Sequence, residues 1–281
     1  MYVWLSQGLS ALAKMGGQVN VAQALGRGRR DEAGRYACSA VQLTVIFAVI
    51  FAAVCTLFTD ELIALFHVGD AETVRYAVVY TRITCGLVIF SYLTVVLTGI
   101  YTAQGDSKTP LIFLIVASVL NVILDLIFVL SFGWGVVGAG VATAFSQLIS
   151  ALACIIYAYK SNTYFKLKKK NIKLNGNIIK KSCKLGIPVA LQNSLIAFSL
   201  IVLQKVVNGY GATFTTAFTV VSRIETLVQQ PFMSLGAAVS TYTGQNIGAG
   251  LKDRVRKGFN SATLVSSMFA LAIGVVFWIF A

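Results

Sequence analysis

The chain has 281 residues, 57% hydrophobic and 12% charged, against about 25% charged residues in an ordinary soluble domain. This composition excludes a soluble enzyme and, despite a formal net charge of +13, a nucleic-acid-binding module. It fits an all-α polytopic membrane protein.

Hydropathy and turn signals divide the sequence into eight expected spans, at 3–25, 36–58, 75–103, 109–131, 135–159, 182–207, 212–244 and 257–281. The first carries Lys14 about mid-span, where an ammonium group could repel or replace a cationic substrate. It lacks the basic region and cleavage site of a signal peptide, so no segment is expected to be removed. The connection 26–35 then brings Arg27, Arg29, Arg30 and Arg35.

The next connection, 59–74, is acidic, with Asp60, Glu61, Asp70 and Glu72 and no lysine or arginine. His67 stands alone there, a poor metal or catalytic candidate. Arg82 and Lys205 lie near span ends and are expected to snorkel.

Span 109–131, TPLIFLIVASVLNVILDLIFVLS, is apolar enough to cross a bilayer and still carries Asn121 and Asp125. A bare carboxylate at that depth costs at least about 2.5 kcal/mol, so such residues face protein or water. A four-residue spacing puts the two on one helix face, able to line a wet crevice. Desolvation favours a neutral carboxyl, and the carboxamide can donate to the ionised form or accept from the neutral one. Asp125 and Asn121 are therefore the candidate ion-coupling residues; an aspartate that merely bonds a neighbouring helix is the alternative.

Gly133, Gly135 and Gly138 match the spacing of a dinucleotide fingerprint, but no strand precedes them. Small residues for close helix packing are the better reading, with Gly138 and Ala142 four apart. Further on, Arg223 and Glu225 lie mid-span, with Gln229 one turn after Glu225 and Pro231 permitting a bend. A structural ion pair and a substrate contact are both open for Arg223, Glu225 and Gln229.

Basic residues fall in alternate connections: 26–35, 104–108 with Lys108, 160–181 with eight lysines, and 249–256 with Lys252, Arg254 and Arg256. The intervening 132–134 and 208–211 carry no charge. The positive-inside rule places the four basic connections in the cytoplasm. The five cysteines, Cys38, Cys55, Cys85, Cys154 and Cys183, stand singly and read as packing residues. No serine, histidine and acid constellation is present, so neither an enzyme nor a metal or organic cofactor is expected.

An internal repeat relates 21–40 to 243–262. Gln23, Gly26, Gly28, Asp31, Ser39 and Ala40 match Gln245, Gly248, Gly250, Asp253, Ser261 and Ala262 at a constant offset of 222. A same-orientation duplication implies two bundles related by an axis along the membrane normal. By that offset the chain is expected to be a fragment, holding the second to ninth of twelve spans. The expected domains are 1–160, an amino-terminal bundle; 161–178, a basic linker; and 179–281, the first half of a carboxy-terminal bundle.

The runs GDSKTP at 105–110, NVILD at 121–125, GWGVVGAGVATAFSQ at 133–147, KLGIPVALQ at 184–192 and TGQNIGAGLKDR at 243–254 together resemble the multidrug and toxic compound extrusion (MATE) family. The resemblance implies two six-helix bundles forming a V and a secondary antiporter that exports organic cations or amphiphilic drugs against inward H⁺ or Na⁺. It also implies a monomer in the cell membrane, in contact with lipid and with small-molecule substrates. In the branch typified by the DNA-damage-inducible F proteins, the amino-terminal bundle holds an aspartate with an asparagine one turn before it, as Asp125 and Asn121 stand here. The branch that relies on a glutamate after the proline of the seventh span has Ile196 at that position here. A lipid-linked saccharide flippase and a non-transporting membrane scaffold remain as alternatives.

Overall fold

The computed structural model describes residues 2–64, 71–160 and 176–280. His67, Asp70 and the linker lysines of 161–175 lie outside the described residues. Among those described, the elements are ten α-helices and one π-helical segment: α1 (Tyr2–Gly26), α2 (Arg30–Leu57), α3 (Thr59–Ala64), α4 (Ala71–Gly86), α5 (Val88–Ala103), α6 (Lys108–Asp125), the π segment (Leu126–Ser131), α7 (Gly135–Lys160), α8 (Gly176–Asn208), α9 (Ala212–Gly248) and α10 (Lys252–Phe280). The expected all-helical membrane fold is what forms.

The eight expected spans become eight rods, with two departures. The third is broken into α4 and α5, bent by 44°. The break follows Gly86, a weak helix former, and Thr84 Oγ1 donates to the Tyr80 carbonyl at 2.8 Å one turn earlier. Back-bonding hydroxyls of this kind bend helices. The second departure concerns apolarity. Five helices, including α6 with its π segment, are long and apolar enough to cross a membrane, six with the bent pair. α1 and α9 are long enough but fall short in composition.

Packing accounts for α1. It touches α2, α5, α8 and α9, so its polar side chains face protein rather than lipid; Gln18 is 1% exposed and Asn20 7%. The crossing with α8 is close because small residues line it: Gly8 and Gly16 on α1, and Ser182, Gly186, Ala190 and Ser194 at every fourth position on α8. A Cβ at Gly16 would lie 3.0 Å from the Ser182 carbonyl carbon, and one at Gly186 would strike the Leu12 carbonyl oxygen. Asn20 Nδ2 seals this face, donating to the Gly16 carbonyl at 2.7 Å and to Ser182 Oγ at 3.4 Å. Within a membrane such close packing, not exclusion of water, drives helix association. α6, by contrast, packs on α5 and α7 and exposes Leu111, Ile115, Val119 and Val122 as a lipid-facing stripe.

The internal repeat is structural as well as sequential. Gly28 turns the chain between α1 and α2 at φ 73°, and Gly250 between α9 and α10 at φ 75°, a conformation that favours glycine. Arg29 N donates to the Ala24 carbonyl and Leu251 N to the Asn246 carbonyl, each at 2.9 Å, and Arg30 and Lys252 repeat a second bond at 3.2 Å. The two copies touch reciprocally. Gly26 lies on the Gln245 carbonyl and Gly248 on the Gln23 carbonyl, which are the same contact viewed from either copy. A Cβ at Gly244 would lie 3.0 Å from Ala22 Cβ, its own counterpart. That self-contact marks an approximate two-fold axis between α1 and α9.

Candidate functional site

Asp125 is the last residue of α6, and the helix widens to a π turn from Leu126. Phe132 N bonds to the Ile127 carbonyl at 3.0 Å, and Trp134 N reaches the Phe128 carbonyl at 2.9 Å. Single π turns of this kind occur frequently at functional sites. Two features hold this one. Gly138 packs on Phe128, where an added Cβ would lie 3.0 Å from the Phe128 Cβ and 3.1 Å from its carbonyl. The ring of Phe128 stacks on those of Phe132 and Trp134 at centroid distances of 6.0 and 5.3 Å, and Phe132 and Trp134 meet tilted at 5.6 Å. The glycine spacing at 133–138 therefore serves packing and the turn, with Gly133 and Gly135 at positive φ.

Asn121 and Asp125 are half-buried, one turn apart. Asp125 Oδ1 and Asn121 Nδ2 are shielded from solvent, and neither has a hydrogen-bond partner. The donation from Asn121 to Asp125 that the spacing permits is not made. Buried polar atoms are ordinarily paired, and leaving one unpaired costs about 1–3 kcal/mol. Two orphans on one face of a lipid-exposed helix can be satisfied by a proton and water, or by a small cation at the carboxylate.

The other candidates lie on α9. Gln229 Nε2 donates to Glu225 Oε1 at 2.9 Å, and Arg223, Glu225 and Gln229 are all exposed. Arg223 and Glu225 form no ion pair: among the described residues the ion pairs are Arg29 with Glu32 at 3.4 Å and Arg82 with Asp60 at 2.8 Å. Positions two apart on a helix do not face each other, which corrects the ion-pair reading. Arg82 is likewise held by a carboxylate rather than snorkelling alone. α9 runs through Pro231 as one continuous helix. α9 touches α1, α5, α8 and α10 but not α6, so the structure does not bring Glu225 to Asp125.

A polar cluster that sequence reasoning missed sits on α1. Gln18 Nε2 donates to Thr241 Oγ1 on α9 at 2.9 Å, while Gln18 Oε1 is buried without a partner. Lys14, one turn away, lays its stem on Gly99 of α5, where a Cβ would lie 2.8 Å from Lys14 Cγ and 3.6 Å from Gln18 Oε1. The signal available was the four-residue spacing of Lys14 and Gln18 within a span. Among the described residues no group of three histidine, cysteine, aspartate or glutamate side chains could hold a metal.

The sequence matches the MatE family over residues 2–127 and 188–281. It is 29% identical over 250 residues to the probable multidrug resistance protein YoeA of Bacillus subtilis, covering 86% of this chain and 54% of that one. To the probable multidrug resistance protein NorM of Thermotoga maritima it is 27% identical, covering 99% and 60%. A solved outward-facing multidrug resistance MATE transporter superposes with a TM-score of 0.92 at 24% identity, over 99% of this chain and 62% of that one. The chain thus spans 54–60% of the length of these two curated relatives. With the family match covering most of its length, the chain belongs to the MatE family, the multidrug and toxic compound extrusion proteins.

Proposed function

We propose that this chain forms part of a secondary antiporter that exports organic cations or amphiphilic drugs in exchange for H⁺ or Na⁺. Asp125 takes up and releases the coupling ion, and Asn121 solvates it. The observation that carries this reading is the pair of buried, unpartnered atoms, Asp125 Oδ1 and Asn121 Nδ2, beside the π turn. A carboxylate kept in a span without a partner needs a compensating role. Alternating access would run between the bundles of 1–160 and 179–281, joined by 161–178, with the two-fold contact of α1 and α9 at their junction. The relatives named as multidrug resistance proteins support the substrate class.

Finer points belong to the same reading. Asn121 with Asp125, and Ile196 in place of a glutamate, favour the DNA-damage-inducible F-like branch. Glu225, Arg223 and Gln229 contact substrate from α9. The intact protein carries twelve spans, acts as a monomer in the cell membrane, and keeps its four basic connections in the cytoplasm.

The test uses the intact protein in everted vesicles carrying an imposed proton or sodium gradient. Added ethidium should dissipate one of the two gradients. Transport that proceeds at an unchanged rate with both gradients collapsed would rule out antiport.

A further inference from the structure

α5 ends at Ala103 in a turn that closes on itself. Gly105 has φ 88°, Gly105 N donates to the Thr102 carbonyl and Asp106 N to the Tyr101 carbonyl, each at 3.0 Å, in the glycine-centred cap that ends many helices. That cap takes the Tyr101 and Thr102 carbonyls and leaves the one at Ala103, a residue with 0% exposure. A buried carbonyl needs a donor. It comes from the other copy of the repeat: Gln245 Nε2 of α9 donates to the Ala103 carbonyl at 2.8 Å, across 142 residues.

Gln245 is held from two sides. Its main-chain carbonyl lies against Gly26 of α1 while its side chain reaches α5, so separating α9 from α1 withdraws the donor from Ala103. The same short connection then starts α6. Asp106 Oδ1 accepts from Thr109 N at 3.0 Å, satisfying one of the amides that a first helical turn leaves open, and α6 runs on from there to Asp125. At 1.5 Å per residue the helix carries a shift of its start about 24 Å along its axis, to Asp125. α9 does not touch α6, so the junction reaches that residue through α5 and the connection 103–109.

We propose that Gln245 is a positioning residue that ties closure of the α1–α9 junction to the seat of α6, and so to the ion at Asp125. The inference rests on the coupling role given to Asp125 above. With the junction closed, the Ala103 carbonyl has its donor, and the end of α5 and the first turn of α6 are fixed. With the junction open, the carbonyl loses that donor and α6 can reseat. Ion uptake that reseats α6 acts on the junction in turn, because coupling between two sites is reciprocal. Sequence alone places Gln245 in a repeat and Asp106 in a loop; the fold links them.

The test uses the intact protein in vesicles and reads two ethidium fluxes, one down its own concentration gradient and one driven by an imposed proton or sodium gradient. Gln245→Met keeps the length of the side chain and removes the donor. It should lower the driven flux at least about fivefold and leave the downhill flux near native. Asp106→Ala, at the other end of the link, should do the same, and Asp106→Asn, which keeps an acceptor oxygen, should retain the driven flux. Gln204→Met, whose lost bond to Asn208 lies within α8, should change neither. A native driven flux in Gln245→Met or Asp106→Ala would overturn the proposal, and so would an equal loss of both fluxes, which marks a purely structural role. If Gln245→Met does not fold, Asp106→Ala and Asp106→Asn decide the matter. Asp125→Asn separates this proposal from the reading beneath it. Native driven flux in that variant removes both, whereas its loss there beside native driven flux in Gln245→Met removes the link alone.

Discussion

Gly26, at the end of α1, rests directly on the backbone carbonyl of Gln245 in α9. The relation is mirrored by Gly248 on the Gln23 carbonyl, so the junction of the two repeat copies is built from one contact used twice. Neither glycine tolerates a Cβ, because the obstructing atoms are backbone and cannot rotate away.

Gly26→Ala and Gly248→Ala should therefore each destabilise the protein by about 1–3 kcal/mol, the usual cost of overpacking. The two losses should be similar, since the contacts are equivalent. Gly236→Ala, also in α9 but facing open space, should be neutral or stabilising by up to about 1 kcal/mol. Thermal unfolding in detergent separates these outcomes, and equal behaviour of all three variants would contradict the two-fold junction.

Thr241→Val should cost about 1–3 kcal/mol, because it strips the one partner from Gln18 Nε2 in a buried setting. Adding Gln18→Met should restore much of the loss, as both polar groups are then gone. A double-mutant cycle on unfolding midpoints reads the coupling directly.

Asp125→Asn keeps the shape of the side chain and removes its charge. In the intact protein it should reduce gradient-driven ethidium efflux to the vector background, with expression and insertion near normal, since a neutral group is cheaper to place in a membrane. Asn121→Ala should lower efflux less. Native transport by Asp125→Asn, with unchanged dependence on both gradients, would transfer the coupling role to another acid.

Cysteines introduced at Arg29 and at Lys252, in a background free of the five native ones, should react with an impermeant maleimide only after the membrane is opened. One introduced at Glu72 should react in intact cells. The reverse pattern would invert the proposed orientation, since the positive-inside rule rests on the loops that these positions represent.

The membrane class, the eight rods and the internal repeat were legible in the sequence because each is a local or periodic property. Long apolar runs set the helices, and glycines such as Gly28, Gly105, Gly211 and Gly250 turned the chain between them; the bonds at Gly28 and Gly250 recur at the offset that their sequences share. Asn121 and Asp125 were legible for the same reason: helical spacing alone puts them on one face. Spacing did not reveal the π turn after Asp125, which depends on Gly138 of α7 receiving Phe128.

What the tertiary structure decided is which helices meet. The lower apolarity of α1 looked like a weakness of that span, and it follows from enclosure by four neighbours, with Gln18 satisfied in part by Thr241, 223 residues away. Lys181 reaches Tyr36 across 145 residues. Such pairings depend on how small residues let two backbones approach, and no local pattern in one helix specifies its partner.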